Sequence, residues 1–148
     1  MGRGGSPGRS SFVAYWAPVL FYLGLILTVS SIPGPRLEPL RLASWDKLAH
    51  AIEYAGLSLL LARALAAAGP WRGTPSPLKV TLVALVAAIA WGAIDENFQR
   101  LTGRQPDIFD FLADSVGVIL AQAARFAARA SRPASSRGQD SRRQERKS

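Results

Sequence analysis

An all-α bundle of four transmembrane helices is the fold this sequence predicts, and three observations predict it. Apolar residues make up 49% of the 148, an ordinary share, but they are bunched into four runs. Each run is close to the ~20 residues that cross a ~30 Å hydrocarbon core as a helix. Helix-stopping and helix-starting residues fall between the runs. Lys and Arg lie mainly on one side of the resulting four-span arrangement, and Asp and Glu mainly on the other. The length is that of a single domain, divided here into a basic segment 1–11, a transmembrane domain 12–128 and a basic tail 129–148.

Residues 12–32 are 21 positions without a charge, stopped by Pro33, Gly34 and Pro35. A cleaved signal peptide is the competing reading, because Arg3 and Arg9 precede the run. The run exceeds the usual apolar stretch of about 7–15 residues and no Ala-x-Ala site follows it, so it is expected to stay as the first span. The second run, 48–68, carries His50, Glu53 and Arg63. Ser44 is placed to cap it, Asp46 suits the positive end of its first turn, and Gly69-Pro70 ends it. The third run, 78–94, carries only Lys79. Ser76 and Pro77 start it as cap and first-turn proline, and Thr102-Gly103 ends it well past Ile94. The fourth, 108–128, includes Asp110, Asp114 and Arg125 and follows Asp107 as its cap.

The chain has no cysteine, which excludes disulfides and thiolate metal ligands. A net charge of +8 would suit nucleic acid, but the excess sits mostly in residues 125–148, rich in Arg, Ser and Gln and without apolar periodicity. Such a segment reads as a disordered cytoplasmic tail beside anionic lipid, with no nucleic acid as partner. The two ends and the connection between spans two and three hold 13 Lys and Arg: Arg3, Arg9, Arg63, Arg72, Lys79 and eight from 125 onward. The other side holds five, so both termini are expected in the cytoplasm. Only Asp140 and Glu145 lie inside, which makes the inner side formally +11 and the outer side −3. Acidic residues contribute little to orientation, and their segregation asks for a separate cause. Trp16, Trp45, Trp71 and Trp91 fall near span ends, as interfacial anchors do.

That cause is sought in the polar residues of spans two to four. Asp46, His50 and either Glu53 or Tyr54 recur at four- and three-residue spacing on one helical face, so a carboxylate can orient the only histidine. The plain alternatives are that Asp46 merely complements the helix N-terminus and that Tyr54 is an interface residue. On the third span Asp95 and Gln99 share a face, with Glu96 about 100° away. Acidic groups near a helix C-terminus are opposed by its dipole, so a compensating cation is expected, Arg100 or Arg104. A solvated loop is the alternative there. On the fourth span Asp110, Asp114, Gly117 and Ala121 form one stripe, whose small residues allow close helix contact within the chain or between copies in a homo-oligomer. Asp110 also suits a place in the first turn after an Asp107 cap, whereas Asp114, a turn deeper, has no such explanation. Together these residues are expected to converge on one pocket at the outer face.

The run Asp46-Lys47-Leu48-Ala49-His50-Ala51-Ile52-Glu53-Tyr54, with Asp95-Glu96-Asn97-Phe98-Gln99, Arg104, Asp110 and Ala113-Asp114-Ser115-Val116-Gly117, resembles the VanZ-like family of bacterial membrane proteins. That family carries D-K-x-x-H-x-x-x-Y/F, then D-E-x-x-Q, an Arg after a short Pro-Gly turn, an Asp, and an Ala-Asp/Asn-x-x-Gly segment. The resemblance covers roughly residues 12–125. One departure is that Leu101-Thr102-Gly103-Arg104 stands where a Phe-x-Pro-Gly-Arg turn is usual, leaving Arg104 or Arg100 as the matching arginine. The family takes its name from a protein associated with low-level resistance to teicoplanin, which acts on cell-wall precursors. The resemblance implies a multi-pass protein of the bacterial inner (cytoplasmic) membrane and cell envelope. The ligand-binding residues it points to are Asp46, Lys47, His50, Tyr54, Asp95, Glu96, Gln99, Arg104, Asp110 and Asp114.

Three functions fit these residues. The first is binding or remodelling of an envelope lipid or lipid-linked cell-wall precursor, with Arg104 and Lys47 contacting its phosphate or carboxylate and Asp110, Asp114 and Glu96 holding those cations. The second is a hydrolase or transferase on such a lipid, with His50, Asp46 and Glu96 as the catalytic candidates. In that reading His50 and the carboxylates can hold a divalent metal as cofactor, although their spacing matches no established motif. The third is a satisfied polar network that only locks the helices together. Transport is less favoured, because no second copy of the polar pattern appears.

Overall fold

Proline, glycine and capping side chains set the helix limits. The computed structural model describes residues 9–32, 43–71, 75–101 and 107–131, of which 9–11, 43, 44 and 130 are described by backbone alone. Its helices are α1 (Arg9–Ser30), α2 (Ala43–Ala68), α3 (Pro77–Leu101) and α4 (Ile108–Ala130), with no strand among the described residues. All four are long and apolar enough to cross a membrane. Pro77 opens α3, and the Ser76 hydroxyl accepts the Lys79 amide at 3.2 Å. Asp107 caps α4 by accepting the Phe109 amide at 2.9 Å. α1 starts at Arg9, before the apolar run, and α2 starts at Ala43, one residue before the expected Ser44 cap. The stops expected at Pro33-Gly34-Pro35 and Thr102-Gly103, most of segment 1–11 and the tail beyond Ser131 lie outside the described residues.

α2 ends at Gly69 because the chain turns tightly there. A Cβ on Gly69 would overlap the Leu65 carbonyl and the Trp71 indole. That indole donates to the Leu65 carbonyl at 2.7 Å, and the Trp16 indole of α1 donates to the Ala68 carbonyl at 3.0 Å. Tryptophan side chains thus close the last turn of α2, where the Leu65 carbonyl also accepts the Gly69 amide at 3.1 Å. Trp91 behaves differently. α3 continues through the polar residues 95–99 to Leu101, which puts Trp91 in mid-helix, its indole Nε1 enclosed and without a hydrogen-bond partner.

α2 is the central helix, touching the other three, whereas α1 and α4 do not touch. Contacts of Lys47, His50 and Ser58 with Asp110, Asp114 and Gln122 show that α2 and α4 run in the same direction. Contacts of Trp16 with Ala68 and of Tyr22 with Glu53 show that α1 runs against α2. α3 buries Val80, Ala84, Ala88, Gly92, Asp95 and Gln99 on one stripe that passes from apolar to small to polar. The stripe expected on α4 also turns inward, with Asp110, Asp114 and Gly117 buried. The apolar core, including Val19, Ile26, Leu57, Leu61 and Val118, occupies the remainder of the interior.

Large apolar side chains cover much of the exterior, while several polar ones are buried. Phe21 and Leu120 are 75% and 64% exposed, while Asp95, Gln99 and Asp114 are 2% exposed. Large apolar side chains face outward on every helix. Soluble proteins rarely expose contiguous apolar surface on this scale.

α4 reaches α2 at Gly117, where an added Cβ would overlap the backbone of Ala51. The obstacle is backbone, so no flexible side chain can move aside. Gly117→Ala is expected to lower stability by about 1–3 kcal/mol, and Gly117→Leu to lower it further. Thermal unfolding of the detergent-purified variants measures this, and an unchanged midpoint for Gly117→Leu would show that the two backbones do not meet there.

Candidate functional site

Close packing of α4 on α2 builds the first part of the site. The Lys47 ammonium donates to Asp107 Oδ2 at 2.9 Å and to Asp110 Oδ1 at 2.6 Å, and it lies 5.7 Å from the centre of the Phe109 ring. One turn further on, His50 Nδ1 lies 3.1 Å from Asp114 Oδ1, and Nε2 is 3.9 Å from Asp110 Oδ2. An ionised carboxylate only accepts, so Nδ1 carries the proton in that pair. Asp110 therefore stands between the lysine and the histidine.

The second part joins α1 to α3. Asp95 Oδ2 accepts from the Ser30 hydroxyl at 2.8 Å and from the Gln99 amide at 3.0 Å, the latter along the shared face that the four-residue spacing predicts. Asp95 Oδ1 has no partner, and neither has the fully buried hydroxyl of Tyr54, which faces the same carboxylate short of hydrogen-bond geometry. Gly92 lets the two parts meet: an added Cβ there would stand 3.4 Å from the Tyr54 ring and 3.5 Å from Asp114 Oδ2.

Glu96 lies between these parts, within electrostatic reach of Asp110, His50, Asp114 and Asp95. Both its carboxylate oxygens are screened from solvent, and neither has a hydrogen-bond partner. Glu96 also lines a cleft of about 320 Å³ between α3 and α4, with Ala93, Asn97, Arg100, Ile108 and Phe111 as the other walls. Asp46, Asp95, Glu96, Asp107, Asp110 and Asp114 outnumber Lys47, His50 and Arg100 among the described residues of this end.

Of the residues singled out in the sequence, Lys47, His50, Tyr54, Asp95, Glu96, Gln99, Asp110 and Asp114 are gathered at one end of the bundle. Arg104 lies outside the described residues, and Arg100 is an exposed wall of the cleft. One expected pairing is corrected. The carboxylate on His50 is Asp114 of α4, not Asp46. Asp46, one turn before His50 on α2, stays within electrostatic reach of the ring. Among the described residues Asp95 is held by Ser30 and Gln99 and not by Arg100, and the alternative, Arg104, lies outside them. Among the described residues no group of three or more His, Asp or Glu side chains is arranged to hold a metal ion.

Sequence reasoning missed the roles of Ser30 and Gln122. Gln122 donates to the Ser58 carbonyl at 2.9 Å, and Arg125 donates to the Thr81 hydroxyl at 3.0 Å, so polar contacts continue along α4 to the far end. The signal for Gln122 was its place eight residues after Asp114, on the same helical face. Ser30 had none beyond its position at the end of an apolar run. Comparison with protein-family models, curated proteins and solved structures finds no match.

Paired and unpaired acids should respond to substitution in opposite ways. Asp114→Ala leaves a buried imidazole without its acceptor and is expected to cost about 1–3 kcal/mol. Glu96→Gln removes the charge of a carboxylate that has no hydrogen-bond partner and should leave stability unchanged or raised, as functional positions often do. Unfolding midpoints of both variants in one detergent test this, and equal losses would make both residues structural.

Proposed function

We propose that this chain is a multi-pass membrane protein of VanZ-like type in a bacterial cytoplasmic membrane, with both termini in the cytoplasm. Its polar end, at the outer leaflet, binds the head of an envelope lipid or lipid-linked cell-wall precursor, and through that ligand it affects susceptibility to teicoplanin. The observation that carries this reading is the set of enclosed polar atoms without partners. Both oxygens of Glu96 lie beside an otherwise paired network, in which the Tyr54 hydroxyl faces the Asp95 carboxylate. Buried polar groups are nearly always hydrogen-bonded, and a network that served only to hold helices together would satisfy its own members. The apolar exterior supports lipid as the surrounding medium, and the polar interior supports a site at one membrane surface.

A second reading rests on the His50 and Asp114 pair, which has the arrangement of a base and the carboxylate that orients it. In that reading the bound lipid is hydrolysed or transferred.

One set of samples tests both. Detergent-purified wild type is expected to unfold at a higher temperature with a phosphate-bearing envelope lipid or lipid-linked precursor, and His50→Ala is expected to lose that gain. Absence of any lipid-dependent shift would overturn the binding reading. Product formed by the wild type, and absent where His50→Ala still binds, would establish the second. Orientation is checked separately, because the native chain has no cysteine. A single cysteine at Ser6 or Ser141 is expected to resist an impermeant maleimide in intact cells and to react after lysis.

A further inference from the structure

The cleft between α3 and α4 joins three features that no paired network needs. Its walls are apolar at Ala93, Ile108 and Phe111, it contains an acid without a partner, and an exposed arginine stands at its edge. The Asn97 amide donates one of its N–H groups to the Ala93 carbonyl at 2.7 Å, and Arg100 stands beside it on this wall. Glu96 lies within electrostatic reach of Asp110, His50, Asp114 and Asp95, and Lys47 and His50 are held by Asp107, Asp110 and Asp114. Among the described residues no cation comes within hydrogen-bond distance of either Glu96 oxygen.

We propose that this cleft receives the head of an ethanolamine phospholipid, with its ammonium at Glu96 and its phosphate at Arg100. The inference rests on the lipid-head reading of this end of the bundle and narrows it to one head chemistry. Residues 96 and 100 are four apart on one helix, which sets their Cβ atoms roughly 5–6 Å apart. Two carbons separate the ammonium from the phosphate ester oxygen in ethanolamine, a span of the same order. An ammonium offers three N–H donors to a carboxylate, and a guanidinium meets a phosphate with paired donors. The glycerol and acyl portion follows Ile108 and Phe111 towards the apolar exterior. A choline head has no N–H to give and is bulkier. A glycerol head brings the phosphate charge without a cation, into surroundings that are already acidic.

The test is binding of three phospholipids with matched acyl chains, carrying ethanolamine, choline or glycerol heads, to the full-length protein in detergent, measured by native mass spectrometry. The ethanolamine lipid is expected to bind on the order of tenfold tighter than the choline lipid, the scale of one charge-assisted hydrogen bond. Glu96→Gln should abolish that preference, and Arg100→Ala should weaken all three lipids together. Ala93→Trp fills the cleft without touching an ionisable group and should also abolish the preference, which decides the matter if Glu96→Gln does not fold. Equal binding of ethanolamine and choline heads, or a preference that survives both Glu96→Gln and Ala93→Trp, overturns the proposal. Preferred binding of the glycerol lipid or of a lipid-linked precursor overturns it while leaving the lipid-head site standing. No binding of any lipid removes both.

Discussion

The seat of Gly117 on the backbone of Ala51 is the contact on which the rest of the molecule depends. A close α2–α4 approach is what puts Asp110 and Asp114 within reach of Lys47 and His50. Were the helices spaced by ordinary side chains, these groups would have to be bridged by water or left unpaired. Small residues in transmembrane helices are generally understood to let backbones approach. Here the approach has a further effect, because it converts two separately costly polar faces into one shared network.

The same logic governs α3. Ala84, Ala88 and Gly92 keep its inner face flat, so that Asp95 meets Ser30 on one side and Glu96 lies near Asp110 and His50 on the other. Pairing is extensive but uneven. Lys47 and His50 are well supplied with acceptors, whereas Glu96 is enclosed without a donor. An acid in that condition raises the energy of the empty state, and any group that neutralises it recovers the difference.

The helices were legible because run length, Ser76-Pro77, Asp107 and Gly69-Pro70 are local signals, and local signals survive without knowledge of the partner. Which faces turn inward was legible too, since Asp46, His50 and Tyr54, or Asp110, Asp114 and Gly117, fall into register by periodicity alone. What periodicity does not contain is where one helix crosses another. His50 was expected to use Asp46 because the two share a helix, but the crossing at Gly117 brings Asp114 instead. Ser30 gave no warning of its role, because a serine at the end of an apolar run usually bonds only its own helix, as Ser31 does with the Leu27 carbonyl.

The partners of Lys47 and His50 are separated from them by 63 and 64 residues, on the helix that leaves the ribosome after α2 and α3. For as long as synthesis of α4 is incomplete, α2 carries a cation and an imidazole whose acceptors do not yet exist. Assembly therefore cannot proceed one helix at a time to a settled intermediate. The acceptors of Lys47 and His50 arrive only with α4, which fixes the register of α2. A nascent chain stalled before α4 should accordingly be a better target for quality-control proteolysis than its apolar content alone would make it.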